Sequence, residues 1–140
     1  MNAKDYLSKA RRMDDQIKAD LRELEHWREL SVSISGCNYG PHYNASRSVE
    51  ATFVKCMEKI ADLEEKIKRE ANDLILLKVD MLERIHSLGN LDYQSVLELR
   101  YLSYRTWEQV AVEMNYSIRW IYKLHGKALQ EMEQRLKECS

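Results

Sequence analysis

The sequence contains few of the residues that make turns. Among its 140 residues there are four Gly and one Pro, too few for the many turns of a β-sandwich or β-barrel. The glycines stand at positions 36, 40, 89 and 126, and this spacing cannot form a Gly-rich phosphate-binding loop. These shortages exclude the nucleotide-binding α/β folds and predict an all-α protein.

Long apolar runs and a disulfide framework are missing as well. The longest unbroken aliphatic run, Leu74 to Leu77, is far shorter than the ~20 residues of a transmembrane helix. The opening residues MNAKDYLSKARR lack the apolar stretch of a signal peptide. The three cysteines are widely spaced and odd in number, which does not indicate paired disulfides. We therefore expect a cytoplasmic protein without a membrane partner.

Apolar residues recur every three or four positions through the first ninety residues, which is the spacing of a helical stripe. The stripe predicts a first helix over Asn2–Leu30. A connector is expected over residues 31–46, where Ser, Asn, Gly and the only Pro collect. A second helix follows, with Ser46 or Ser48 as its N-cap and Gly89 as its left-handed C-cap. Together these segments predict a long antiparallel, coiled-coil-like helical hairpin.

The second predicted helix is longer than the first, about 63 Å against about 43 Å at ~1.5 Å per residue. The part without a partner is apolar on more than one side, because it includes Leu74, Ile75, Leu76, Leu77, Val79, Met81, Leu82 and Ile85. Either the C-terminal segment or another chain must cover it. We favour self-association, with a dimer as the simplest form, and assign residues 1–89 as an oligomerisation domain. A closed monomeric helical domain is the alternative.

Residues 90–140 contain the start and stop signals of three shorter helices. The first predicted helix covers Leu91–Leu102 and the second covers Trp107–Met114. Thr106 and Gln109 form a Thr-x-x-Gln capping box, which satisfies amide donors at the start of the second helix. This C-terminal domain is therefore organised differently from the long helices before it.

A three-residue turn joins the second and third of these helices. Asn115 tolerates the left-handed conformation of a tight turn, and Ser117 can cap the third helix. Two helices joined in this way predict a helix-turn-helix. Projection at 100° per residue gives the third helix a core face, with Ile121, Leu124, Ala128 and Met132. The opposite face carries Arg119, Lys123, Gly126, Lys127 and Gln130.

The charge balance hides a local basic region. The formal net charge is −1, yet no Asp or Glu occurs between Glu113 and Glu131. This interval contains the three cations of the third helix. An acid-free basic helix face is suited to binding a polyanion.

The segment ELRYLSYRTWEQVAVEMNYSIRWIYKLHGKALQEME resembles the promoter-reading fourth region of bacterial sigma factors. Together with NYGPHYNASRSVEATFVKCMEKIADLEEKI, it makes nearly the whole chain similar to small phage and prophage proteins related to ArpU/RinA-type late transcriptional regulators. The resemblance implies a sigma region-4-like helix-turn-helix and a sequence-specific transcriptional regulator of phage genes in a bacterial host. Double-stranded DNA is the implied ligand, and RNA polymerase is a candidate partner.

The resemblance implies DNA-binding residues on the third helix: Ser117, Ile118, Arg119, Trp120, Tyr122, Lys123 and Lys127. Arg105 and Thr106, at the start of the second helix, are further candidate DNA-binding residues. Arg119 is suited to bidentate contact with guanine, whereas the lysines and Arg105 would neutralise phosphates. Ile118 and Trp120 differ from the Arg or Glu that the sigma family often has. They could contact thymine methyl groups or another protein.

Other functions receive less support from the residues. Cys37, His42 and Cys56 do not have the spacing of a zinc site, and Cys56 falls in the predicted helical seam. No constellation indicates a catalytic site, so we expect neither an enzyme nor a cofactor. A DNA-packaging component similar to the small terminase subunits of phages is one alternative. A coiled-coil interaction module without DNA binding is another.

Overall fold

The computed structural model describes residues 2–36 and 43–138, with the side chains of residues 2–34 and 49–138. Its α-helices are α1 (Ala3–Gly36), α2 (Tyr43–His86), α3 (Leu91–Leu97), α4 (Trp107–Met114) and α5 (Ile118–Glu138), and a π-helical segment, Glu98–Leu102, follows α3. The described part of the chain contains no β-strand. The predicted all-α fold class is confirmed.

Both long helices extend into the predicted connector. Residues 31–36 continue α1 and residues 43–46 belong to α2, so the boundaries predicted at 31 and 46 are wrong. Ser46 and Ser48 lie inside α2 rather than at its N-cap. Inside α1, the Ser31 hydroxyl donates a hydrogen bond to the Arg28 carbonyl at 2.7 Å. Serine and β-branched residues lower helix propensity by only a few tenths of a kcal/mol, which does not end a helix. The remaining connector residues, 37–42, lie outside the described residues.

The chain divides into two compact units, of which one comprises residues 15–72. Its core is a cluster of Leu24, Ile60 and Leu63, with Trp27 and Ile67 packed against it. The Arg28 guanidinium lies 2.9 Å from a Glu64 carboxylate oxygen, and Lys66 Nζ lies 3.3 Å from Asp20. Arg28 follows Asp20 in α1, but its partner Glu64 precedes Lys66 in α2. The two helices therefore run antiparallel within this unit.

The other unit comprises residues 1–14 and 73–140. The Tyr6 hydroxyl of α1 donates a hydrogen bond to Asp80 of α2, and the Arg84 guanidinium lies 5.6 Å from the Tyr6 ring centroid. The fully buried large side chains of this unit come from α1, α2 and the shorter helices: Leu7, Met81, Ile85, Leu88, Val96, Leu97, Val110, Ile121 and Met132. This division differs from the predicted domain boundary at residue 89, because the last turns of α2 belong to the same unit as α3 to α5.

The end of α2 also differs from the prediction. No described glycine has a positive φ, so Gly89 is not the left-handed C-cap that we predicted. The Gln94 side chain instead donates to the Leu88 carbonyl at 2.6 Å, and the Asn90 side chain accepts from the Asp92 and Tyr93 amides to cap α3. Side chains therefore satisfy the backbone groups here without a left-handed glycine.

None of the described helices combines the length and the apolar character that a membrane crossing requires.

Candidate functional site

The start of α4 has the predicted capping box. The Thr106 hydroxyl accepts a hydrogen bond from the Gln109 amide at 3.2 Å, and the Gln109 side chain accepts from the Thr106 amide at 3.0 Å. Helix α4 ends at Asn115, which has the left-handed conformation at φ 58°. The Ser117 hydroxyl then accepts from the Trp120 amide at 3.2 Å. Each of these local predictions is confirmed, and together they fix where α5 begins.

One face of α5 belongs to the core. Its buried residues are Ile121, Leu124, Ala128 and Met132, the same four that the helical projection predicted. Helix α5 packs against α3 and α4, so its opposite face points away from those helices. The exposed face is therefore fixed by the packing of the apolar one.

The exposed face carries the predicted cations. Arg119, Lys123 and Lys127 are all exposed, as are Ser117 and Tyr122 among the predicted site residues. Apart from its neighbours and the backbone of its own helix, no described atom would lie within 4 Å of a Cβ at Gly126. This face is open along two turns of the helix and is free of acidic residues between positions 114 and 130.

The aromatic ring of Trp120 lies beside these cations. Trp120 and Ile118 are 39% and 37% exposed. The Lys127 ammonium lies 5.5 Å from the Trp120 ring centroid, and the Tyr116 ring meets Trp120 edge-on at 6.5 Å. The Tyr116 hydroxyl donates to Asp92 of α3 at 2.9 Å, and this hydrogen bond raises the pKa of Tyr116. This hydrogen bond joins the turn between α4 and α5 to α3.

An aromatic cluster lies at the junction of α4, α5 and the π-helical segment. The Trp107 ring meets Tyr122 at 5.4 Å and His125 at 4.6 Å, in both cases edge-on. The Arg100 guanidinium lies 4.4 Å from the Trp107 ring centroid, and Tyr101 stacks on His125 at 5.7 Å. Trp107 is half-buried, and its ring contacts hold α4 against α5.

His125 is hydrogen-bonded to the Tyr101 hydroxyl, with 2.6 Å between Nε2 and the oxygen. Burial, followed by the nearby positive charges of Lys4 and Arg100, lowers the pKa of His125 to about 4. Burial also raises the pKa of Tyr101. Both side chains are therefore neutral near pH 7, and they add no charge to the basic face.

Two predicted site residues lie before α4 instead of on α5. Arg105 is exposed, with its Nε 3.9 Å from Glu113, and its carbonyl accepts a hydrogen bond from Arg100. The hydroxyl of Thr106 is engaged in the capping box. The structure thus gathers the α5 residues on one helix, while Arg105 and Thr106 belong to the start of α4.

Sequence reasoning did not identify Arg100 and Tyr101 as neighbours of the site. A π-helix closes its backbone hydrogen bonds between residues five apart instead of four, so a projection at 100° per residue misplaces the side chains of this segment. The predicted helix over Leu91–Leu102 has the right extent, but its last five residues are π-helical.

Among the described residues, no group of three or more His, Cys, Asp or Glu side chains is arranged to hold a metal ion. Cys56 is a buried free thiol, in agreement with its predicted place in the helical seam. Cys37 and His42 lie outside the described residues.

A family model described as "Protein of unknown function (DUF1492)" matches residues 45–133. The chain belongs to the DUF1492 family. The DUF1492 match includes every predicted site residue, from Arg105 to Lys127, and all of α3 and α4. Searches of the curated proteins and of the solved structures found no match.

Proposed function

We propose that this protein is a sequence-specific transcriptional regulator of phage or prophage genes that binds double-stranded DNA through α5. The observation that carries the proposal is the exposed face of α5, where Arg119, Lys123 and Lys127 share a stretch without acids while the other face is buried. Helix-turn-helix proteins place such a second helix in the major groove. The regulatory role rests on the resemblance to ArpU/RinA-type proteins.

Each side chain has a separate part in this proposal. Of the three cations, Arg119 lies nearest the start of α5, where recognition helices contact base edges. Its guanidinium group can donate two hydrogen bonds to guanine O6 and N7. Lys123 and Lys127 follow at intervals of four residues, which places them one and two turns further along to meet phosphates. Arg105 would contact the backbone from the start of α4.

The proposal is tested by replacing Arg119, Lys123 and Lys127 together with Ala and measuring affinity for a pool of random DNA duplexes at several salt concentrations. Each lost phosphate contact lowers the slope of log K against log salt by about 0.9. We expect the affinity to fall at least tenfold and the slope to become shallower by about 2 to 3 for each α5 helix that contacts the duplex. In vitro selection of duplexes with the unmodified protein then reports the base sequence.

A matched control removes three exposed cations from α2, by replacing Lys55, Lys59 and Lys68 with Ala. The net charge changes equally, so only the position of the charge differs between the two variants. Equal loss of affinity in both variants, or DNA binding that does not depend on Arg119, Lys123 and Lys127, would contradict the proposal.

We also propose that the protein forms a homodimer through α2. Four of its apolar side chains are exposed in the part of α2 that belongs to the unit of residues 1–14 and 73–140: Ile75, Leu76, Val79 and Leu82. Positions 75, 79 and 82 have the i, i+4, i+7 spacing of a coiled-coil seam, which a second copy of the same helix can match. Two copies would present two α5 helices to two half-sites. A ring of many subunits would instead favour the packaging alternative.

A further inference from the structure

Two large apolar side chains of α5 remain outside the core. Ile118 and Trp120 are 37% and 39% exposed, whereas Ile121, one position further on, is fully buried. They stand on either side of Arg119 in the sequence and therefore flank it on the helix surface. The start of α5 thus alternates an apolar side chain, a cation and a second apolar side chain.

Neighbouring side chains restrain the Trp120 ring. Tyr116 meets it edge-on and the Lys127 ammonium lies over it, while Asp92 holds the Tyr116 hydroxyl. An exposed aromatic side chain that is already held in place loses less conformational entropy on binding than a mobile one. Trp120 is therefore arranged for contact with a ligand beside Arg119.

The chemistry of the major groove identifies what these side chains can contact. Phosphates and most base edges offer only charged or polar atoms. The 5-methyl group of thymine is the apolar group on the major-groove edges of the four ordinary bases. Arg119 pairs best with guanine, and its apolar neighbours would reach the adjoining base pairs.

We infer that Ile118 and Trp120 read the 5-methyl groups of thymines that adjoin the base pair contacted by Arg119. This inference rests on the proposed function and deepens it, because it names the chemical group that gives specificity. The ligand is a duplex whose half-site carries thymine methyl groups on one or both sides of a guanine.

The test replaces each thymine of the in vitro selected duplex with deoxyuridine, one position at a time. This exchange removes one methyl group and leaves the base pairing and the O4 acceptor intact. We expect about fourfold weaker binding at the positions read by Ile118 or Trp120, which is the loss that corresponds to ~0.8 kcal/mol for one buried methyl-sized group. At other thymines the affinity should not change.

Variants of the protein separate direct contact from altered DNA shape. In Ile118→Ala and Trp120→Ala, the deoxyuridine penalty should disappear at the position that the missing side chain contacts. Leu30→Ala is the control, because Leu30 is 36% exposed and lies in the unit of residues 15–72. It should retain both the affinity and the full penalty, and circular dichroism verifies the fold of all three variants.

Two outcomes overturn the inference while leaving the proposed function intact. One is unchanged affinity for every deoxyuridine duplex, with binding that still depends on the three cations. The other is a penalty of equal size in the unmodified protein and in both α5 variants. If binding does not depend on the cations at all, the proposed function fails and this inference fails with it.

Discussion

At the scale of single residues, His125 shows how packing decides the properties of a titratable group. It lies on α5 between Tyr101 and Trp107, with its Nε2 bonded to the Tyr101 hydroxyl. Its pKa is lowered to about 4 by burial and by Lys4 and Arg100. The helical projection places His125 only at the edge of the core face, and nothing in the sequence indicates which partners it meets.

The lowered pKa of His125 predicts that the protein loses stability in mild acid. The unfolded chain binds a proton below about pH 6.5, whereas the folded chain resists protonation until about pH 4. The stability that depends on neutral His125 is therefore present above pH 6.5 and declines as the pH falls from about 6.5 towards 4. Because the ring is partly exposed, we expect a loss of about 1 kcal/mol between pH 7.5 and pH 5.

Urea unfolding of the unmodified protein and of His125→Gln at the two pH values measures this contribution. The variant cannot bind the proton, so its stability should change less between pH 7.5 and pH 5. His26→Gln serves as control, because His26 is exposed on α1. An identical pH dependence in His125→Gln and the unmodified protein would refute the prediction.

Glu70 is a second residue whose pKa depends on a neighbouring side chain. It interrupts the apolar seam of α2, and its carboxyl group lies beside that of Asp20, which is 4% exposed. Asp20 Oδ2 and Glu70 Oε1 are buried without a hydrogen-bond partner among the other described residues, so the hydrogen bond between the two carboxyl groups requires that they share a proton. Asp20 also accepts a hydrogen bond from Gln16 at 3.1 Å and lies beside Lys66. The hydrogen bond to Asp20 raises the pKa of Glu70, and the hydrogen bond to Glu70 lowers the pKa of Asp20.

This carboxyl pair predicts that Glu70→Gln stabilises the protein at alkaline pH. A raised carboxyl pKa contributes stability at low pH that is lost as the pH rises through it. The amide of Gln donates to Asp20 at every pH, so the variant avoids that loss. We expect a gain on the order of 1 kcal/mol at pH 8 and a smaller one at pH 5, both measured by urea unfolding.

Glu65→Gln provides the comparison for this variant, since Glu65 is exposed on the same helix and the change in net charge is the same. A Glu70→Gln protein that is less stable than the unmodified one at pH 8 would show that the two carboxyl groups do not share a proton.

At the scale of secondary structure, Gly126 is an unfavourable residue in the middle of α5. A central helix Gly is less stable than Ala by roughly 0.5–1 kcal/mol. A Cβ at this position would meet no described atom within 4 Å other than its neighbours and the backbone of its own helix. We therefore expect Gly126→Ala to raise the free energy of unfolding by about that amount, measured by urea unfolding. A destabilised variant would mean that the fold itself requires the glycine.

The elements differ in how well the sequence predicts them, and the difference has a physical cause. The core face of α5 and the caps at Thr106, Asn115 and Ser117 depend on contacts within a few residues, so their patterns can be read directly. The end of α1 and the start of α2 were predicted from composition alone, as a connector over residues 31–46, whereas the helices end at Gly36 and begin at Tyr43. Composition measures only weak preferences, and these did not stop either helix.

The basic face could likewise be predicted, because helical spacing places Arg119, Lys123 and Lys127 together. The aromatic cluster behind it could not be predicted. It joins Arg100 and Tyr101 of the π-helical segment to Trp107 and His125, and such contacts depend on how separate helices meet. The basic face therefore comes from residues that are close in sequence, whereas the aromatic cluster behind it comes from residues of separate helices.

At the scale of the whole molecule, the apolar end of α2 has two different sides. Leu74, Met81 and Ile85 are buried, so part of the surface that we expected to lack a partner is covered within the chain. Ile75 and Val79 remain exposed at 61% and 49%. The chain itself therefore covers one side of this segment. The predicted contact with a second chain concerns only the exposed side.

We expect Val79→Glu to weaken self-association, because it places a charge in the middle of the exposed apolar stripe that a second copy would cover. Sedimentation velocity at micromolar concentrations should give the mass of a dimer for the unmodified protein and that of a monomer for the variant. The dimer dissociation constant should rise at least tenfold, the effect of losing about 1.4 kcal/mol.

Val54→Glu is the matched control for this measurement. Val54 is also a valine of α2 and has the same exposure of 49%, but it lies in the unit of residues 15–72. If the stripe is the interface, Val54→Glu remains dimeric. A dimer in which both variants dissociate equally would place the interface elsewhere, and a monomeric unmodified protein would contradict self-association. Since each copy carries one α5, the monomeric variant should also bind DNA with about half the salt slope of the dimer.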